Sequence, residues 1–286
     1  MASKKKMPKE YAIIVSLSIF FALVTLVGII RLVVIADESY AKVDLDNIQI
    51  DNNEIDLDIA RYNLSIANAI KEEYDIDIYY GDKLNLESVN GIAITDEQKI
   101  FDMLCDISSA LSVYPQNLVR EIENKGYSVS IYLVDYFTTN VEALANRNTI
   151  GQFKIYISNT PDLKRALHHE YYHILDYYIK LEANESLVYK DWNKYNPIGF
   201  KYVNDVDNIT SKYVYNNDTG SYFVTAYAKY SEKEDRAETF AEMITANRQK
   251  LFFNDGEPIK GKINIINSVL NSTFKTIGLE ENLIWK

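Results

Sequence analysis

All three histidines of the 286-residue chain fall within six consecutive residues, HHEYYH at 168–173, and this cluster constrains the fold more than any other stretch. His169 and His173 stand four residues apart, which stacks them on one face of a helix but sets them ~13 Å apart along a strand. The surrounding PDLKRALHHEYYHILDYYIKL keeps the helical period, with Ala166, Ile174 and Tyr178 placed to face a core. Thr160 as N-cap and Pro161 in the first turn mark its expected start. The fold must therefore supply a long helix that packs along one side while two imidazoles converge on another.

Two imidazoles one turn apart can reach a single Zn²⁺, and Glu170 between them projects toward a water that such a metal activates. Glu170 is then the general base, accepting the water's proton and passing it to a leaving amine. His168 stands outside the pair, because its neighbour one turn on is Tyr172. A catalytic zinc also needs a third protein ligand and an open coordination position. A later helical segment, EKEDRAETFAEM, offers Glu234, Asp235, Glu238 and Glu242. Glu238 is central to the i, i+3 and i+4 relations among them, and Ala237 and Ala241 are small enough to let this helix approach closely. Glu238 is expected as the third metal ligand. The flanking acids are expected to hold a zinc-bound histidine from outside the coordination sphere or to complement the helix dipole.

The other strong signal is topological. Tyr11 to Ile30 carries no charge and LVVIA extends the run past Arg31, long enough to cross a bilayer as a helix. Lysines precede it and acids follow it, which places the N-terminus in the cytoplasm and the rest of the chain outside. Small-residue patterns at Val34/Ala36 and Ser39/Ala41 offer cleavage points, and cleavage there would make the domain secreted. The expected organisation is a cytoplasmic tail at 1–10, a transmembrane anchor at 11–35, an Asp- and Asn-rich stalk at 36–58 and one domain at 59–286. The formal charge of −11 includes +4 from residues 1–35, leaving −15 on the remainder. Such acidity argues against nucleic acid as a partner and favours basic substrates through steering. The one cysteine, Cys105, excludes an intrachain disulfide, and in FDMLCDI it is expected as a small buried hydrophobe.

Between stalk and motif, IARYNLSIANAIKEEY, DEQKIFDMLCDISSALSVY and PQNLVREIENKG read as helices. IDIYYG, YSVSIYLVD and FKIYIS read as strands. FKIYIS is expected to provide the edge along which an extended peptide pairs. The fold class is α+β, a zincin-like metallopeptidase domain behind an N-terminal transmembrane helix.

HHEYYHILDYY followed by AYAKYSEKEDRAETFAEM resembles the catalytic domain shared by anthrax lethal factor, the secreted Pro-Pro endopeptidases of clostridia and related zinc metallopeptidases of Gram-positive bacteria. The resemblance covers about a fifth of the chain. It implies His169, His173 and Glu238 as zinc ligands, Glu170 as general base, and Asp176 as a support for the metal site from outside the coordination sphere, as the flanking Asp235 is also expected to be. It also implies a tyrosine that donates a hydrogen bond to the tetrahedral oxyanion, here Tyr227 in TAYA ahead of Tyr230. Tyr227 lies farther from Glu238 than its counterpart does in lethal factor, and the motif's inner pair, Tyr171 and Tyr172, is bulkier than in relatives. The expected activity is hydrolysis of peptide bonds in a protein or peptide at the cell surface. Two other readings use the same residues: an inactive zincin fold serving as a tethered binding or sensing module, and a structural zinc site closed by four ligands. The first is disfavoured because every catalytic residue type is present, the second because suitable extra ligands are lacking.

Overall fold

The computed structural model describes residues 52–139, 141–148, 151–183, 188–203, 222–245 and 257–279. The chain divides into two units, Met1–Leu57 and Asp58–Lys286, and the account below concerns the second. Its centre is a mixed sheet. SVSIYLVDYF forms β3 (Ser128–Phe137) and QFKIYIS forms β5 (Gln152–Ser158), paired in parallel from Ser128 opposite Gln152. Their apolar residues alternate onto one face, where Ile131, Leu133, Ile155 and Ile157 are wholly buried against the helices. β1 (Ile76–Tyr79) runs parallel to β3, and the short β2 (Gly91–Ala93) pairs antiparallel with the far half of the same strand. β4 (Ala143–Arg147) returns antiparallel along β5, so the order is β1-β3-β5-β4. The expectation that FKIYIS forms an edge is thereby corrected. β5 is internal, and the edge is β4, whose ALANR is too short and too weakly patterned to read as a strand.

The helices follow the apolar periodicity with adjusted ends. α1 (Asn52–Tyr74) starts seven residues before Ile59, so residues 52–58 of the expected stalk are helical. That stretch contains no glycine or proline. α2 (Glu97–Leu111) is capped by Asp96, whose carboxylate accepts from the Lys99 amide at 3.0 Å. It buries Ile100, Met103, Leu104 and Ile107, which leaves Cys105 about 100° away from that face. Cys105 is exposed, correcting the expectation of a buried thiol. α3 (Leu118–Glu123) follows, and then the histidine helix α4 (Leu163–Glu182). α4 begins later than Thr160 and Pro161 suggest. Those two residues form a preceding turn closed by the Leu163 amide on the Thr160 carbonyl at 3.1 Å, and Asp162 takes the N-cap position without a side-chain bond.

The acidic helix α5 (Glu232–Thr245) packs against α4 through Ala237 and Ala241, both fully buried. Tyr172 of α4 stacks on Phe240 of α5 with centroids 4.6 Å apart. Below this contact a buried ion pair joins the helices. Arg236 Nε and Nη2 donate to the two Asp176 oxygens at 3.1 and 3.0 Å, and the Tyr189 ring lies 4.2 Å from the guanidinium. Asp176 is therefore the partner of Arg236 and does not orient an imidazole, which corrects its expected role. α6 (Glu257–Thr273) and α7 (Lys275–Leu279) complete the described chain. α6 meets the 3-10 turn Trp192–Tyr195 so closely that a Cβ on Gly261 would lie 2.0 Å from the Tyr195 ring. Among the described residues no helix is long and apolar enough to cross a membrane, and the expected span 11–35 lies outside them.

Breaking a buried pair leaves an uncompensated charge. Asp176→Ala should therefore lower the unfolding free energy by ~3–5 kcal/mol, with Asp176→Leu combined with Arg236→Met recovering much of the loss. Urea denaturation of the three chains checks this; equal midpoints for wild type and the single variant would contradict it.

Candidate metal centre

Residues 169 and 173 lie on the same side of α4, and their Nε2 atoms are 3.1 Å apart. From α5, Glu234 Oε2 lies 3.0 Å from His169 Nε2 and 3.1 Å from His173 Nε2. Three donor atoms thus form a nearly equilateral triangle, with each residue no more than 8% exposed. Tetrahedral zinc with bonds of ~2.0–2.2 Å separates its ligand atoms by ~3.3–3.6 Å, so two imidazoles and one carboxylate in this arrangement fit that ion closely.

Glu238 faces the other side of the first imidazole. Its Oε1 lies 2.7 Å from His169 Nδ1, at an angle short of a straight hydrogen bond. Its Oε2 accepts from Arg165 Nη2 and from Thr225 Oγ1, each at 2.6 Å. The expectation that Glu238 supplies the third ligand is corrected by this placement: Glu234, one turn earlier, reaches the Nε2 atoms, while Glu238 holds the ring from behind. Glu242, one turn further on, lies 3.6 Å from Arg165 Nε. Asp235 points elsewhere as well. Its Oδ2 accepts from Lys262 Nζ at 2.7 Å, Tyr202 Oη at 2.9 Å and Trp192 Nε1 at 3.0 Å. It anchors α5 to α6 and the 3-10 turn instead of contacting a histidine, correcting its expected role.

The electrostatics of the cluster follow from this crowding. Burial opposes a charge on His169, yet Glu234 and Glu238 outweigh it and push its pKa up to about 10. Burial and the neighbouring His169 charge lower His173. Burial would raise both carboxyls, but the histidine contacts dominate, lowering Glu234 and bringing Glu238 to about 2. A positive charge at the triangle is therefore already favoured by two fixed carboxylates.

Glu170 is buried, and its carboxylate lies with the two histidines in a group whose ligand atoms are within 4.8 Å of one another. Tyr227 sits on the 3-10 turn Tyr227–Lys229 with its ring 6.1 Å from His169. Burial and then Glu234, Glu170 and Glu238 raise its pKa, keeping the hydroxyl a donor. Tyr230 stacks beside Tyr227 at 5.8 Å. His168 faces away and shares a 2.7 Å hydrogen bond with Tyr114. Burial lowers its pKa to about 4, so it is neutral.

Three participants carry little signal in the sequence. Arg165 and Thr225 are ordinary polar residues whose carboxylate contact exists only in the folded chain. Glu234 stands among five acids on one helix, and the helical period admits Glu234 and Glu238 equally because they share a face.

A family model described as "Putative zinc-binding metallo-peptidase" matches residues 108–256, a little over half of the chain. The solved structure of a "putative zinc-binding metallo-peptidase" from Bacteroides caccae is similar at 18% identity, over 82% of this chain and 95% of that one, with a TM-score of 0.47. No curated protein matches. The matched stretch contains both helices of the metal centre and the turn that bears Tyr227, and the chain belongs to this zinc-binding metallo-peptidase family.

Proposed function

We propose that this chain is a zinc-dependent endopeptidase working outside the cytoplasm, held at the membrane by residues 11–35, with a protein or peptide at the cell surface as substrate. The observation that carries the catalytic reading is the triangle of His169, His173 and Glu234 donor atoms beside Glu170. Those three residues would hold a zinc ion, which would supply an activated water and polarise a substrate carbonyl. Glu170 accepts the proton released as the water attacks and delivers it to the departing amine. The Tyr227 hydroxyl donates to the oxyanion that develops on the carbonyl. Glu238, steadied by Arg165, keeps His169 turned so that Nε2 faces the metal. β4 pairs with β5 on one side, and its other side is suited to an extended peptide. The likeness of the two helical motifs to lethal factor and the Pro-Pro endopeptidases supports the same assignment. The apolar run and its flanking charges support the topology.

Glu170→Gln should retain stoichiometric zinc by elemental analysis yet hydrolyse a fluorescence-quenched peptide library at least about a hundredfold more slowly. Unchanged turnover would overturn the base assignment. Glu234→Ala should abolish stable zinc binding, whereas Glu238→Ala should weaken it by about 10–100-fold, as expected for a group behind a ligand. Metal titration showing the reverse order would return the ligand role to Glu238. For the topology, protease added to intact cells should remove a C-terminal tag after Lys286, and a tag protected until the membrane is broken would reverse the orientation.

A further inference from the structure

The segment Tyr222–Tyr230 carries Tyr227 past the metal centre as a strap, and its fastening follows from three contacts. At its start, Lys262 Nζ donates to the Tyr222 carbonyl at 2.6 Å and lies 4.1 Å from the Phe223 ring centroid. At its end, the Lys229 carbonyl accepts from the Val203 amide at 3.0 Å. Between them stands Thr225, 5% exposed, whose hydroxyl has one proton to give and lone pairs to receive. It donates to Glu238 Oε2 at 2.6 Å and accepts from the Ala228 amide at 3.1 Å. The threonine hydroxyl is the donor of the first bond and the carboxylate oxygen its acceptor. Glu238's other oxygen is the one 2.7 Å from His169 Nδ1. One carboxylate therefore connects an imidazole of the metal centre to the turn that bears the tyrosine.

We propose that Thr225 is a positioning residue: through Glu238 and the Ala228 amide it fixes the turn Tyr227–Lys229, and so the Tyr227 hydroxyl, relative to the metal centre. This rests on the endopeptidase reading and on Tyr227 as the oxyanion donor. Arg165 alone still neutralises Glu238 when the threonine hydroxyl is lost, so the metal site keeps its carboxylate. The consequence of losing that hydroxyl is confined to the placement of the tyrosine, which bears on the transition state and not on substrate binding.

The test uses the full-length chain with Thr225→Val, which keeps the side-chain shape and removes the hydroxyl, and Thr225→Ser, which restores it. Hydrogen exchange followed by mass spectrometry reads the strap directly. The peptide covering Phe223–Tyr230 should lose protection at one amide by about tenfold or more in Thr225→Val and retain it in Thr225→Ser. Zinc content should match wild type in both. On the library peptide cleaved fastest, Thr225→Val should lower kcat by about tenfold with KM within about twofold, Thr225→Ser should recover it, and adding Thr225→Val to Tyr227→Phe should cost little more. Unchanged exchange, loss of zinc, or an equal kcat loss in the Tyr227→Phe background would overturn the proposal, as would full kcat in Tyr227→Phe alone. A wild-type chain that cleaves no peptide would count against the endopeptidase reading, and the exchange result would then decide the Thr225 link by itself.

Discussion

The metal centre exists because two helices lie close enough for carboxylates on one to meet imidazoles on the other. That closeness has two sources. Ala237 and Ala241 remove bulk from the α5 surface, and the Arg236–Asp176 pair clamps the helices at a depth where neither charge has access to water. A buried, paired charge contributes little net stability but penalises alternatives heavily, because any sliding of α5 along α4 would separate the guanidinium from its carboxylate. The register that satisfies Asp176 is the one in which Glu234 meets both Nε2 atoms.

That dependence explains what the sequence could and could not reveal. His169, Glu170 and His173 were legible because their relation is internal to one helix and set by the 3.6 period. The choice between Glu234 and Glu238 is a relation between helices. The two acids differ by four residues, or ~6 Å along the axis, and nothing within either helix states that offset. The ion pair that does state it involves Asp176, which the motif resemblance assigned to a histidine. The acid was correctly singled out and given the wrong partner.

The fold shows the same division. β1, β3 and β5 were readable because each buries an alternating face, whereas β4 has no strong pattern and gains its identity from the neighbour it pairs with. Cys105 sits in an apolar run, yet a helix exposes one residue of every such run, and the buried stripe through Met103, Leu104 and Ile107 decides which. Lys262 is the sharpest case. Lysine is a surface residue by default, and here Asp235, Tyr222 and an aromatic wall make a wholly buried position tolerable.

Glu234, Asp235 and Arg236 are consecutive, and successive helical residues point about 100° apart. Each is committed in a different direction: the first to the imidazoles, the second to α6 and the 3-10 turn, the third to Asp176. A helix tethered on three sides cannot turn about its own axis. The positions of these three side chains are accordingly set together by the folding of α5, and a change at any one of them bears on the other two.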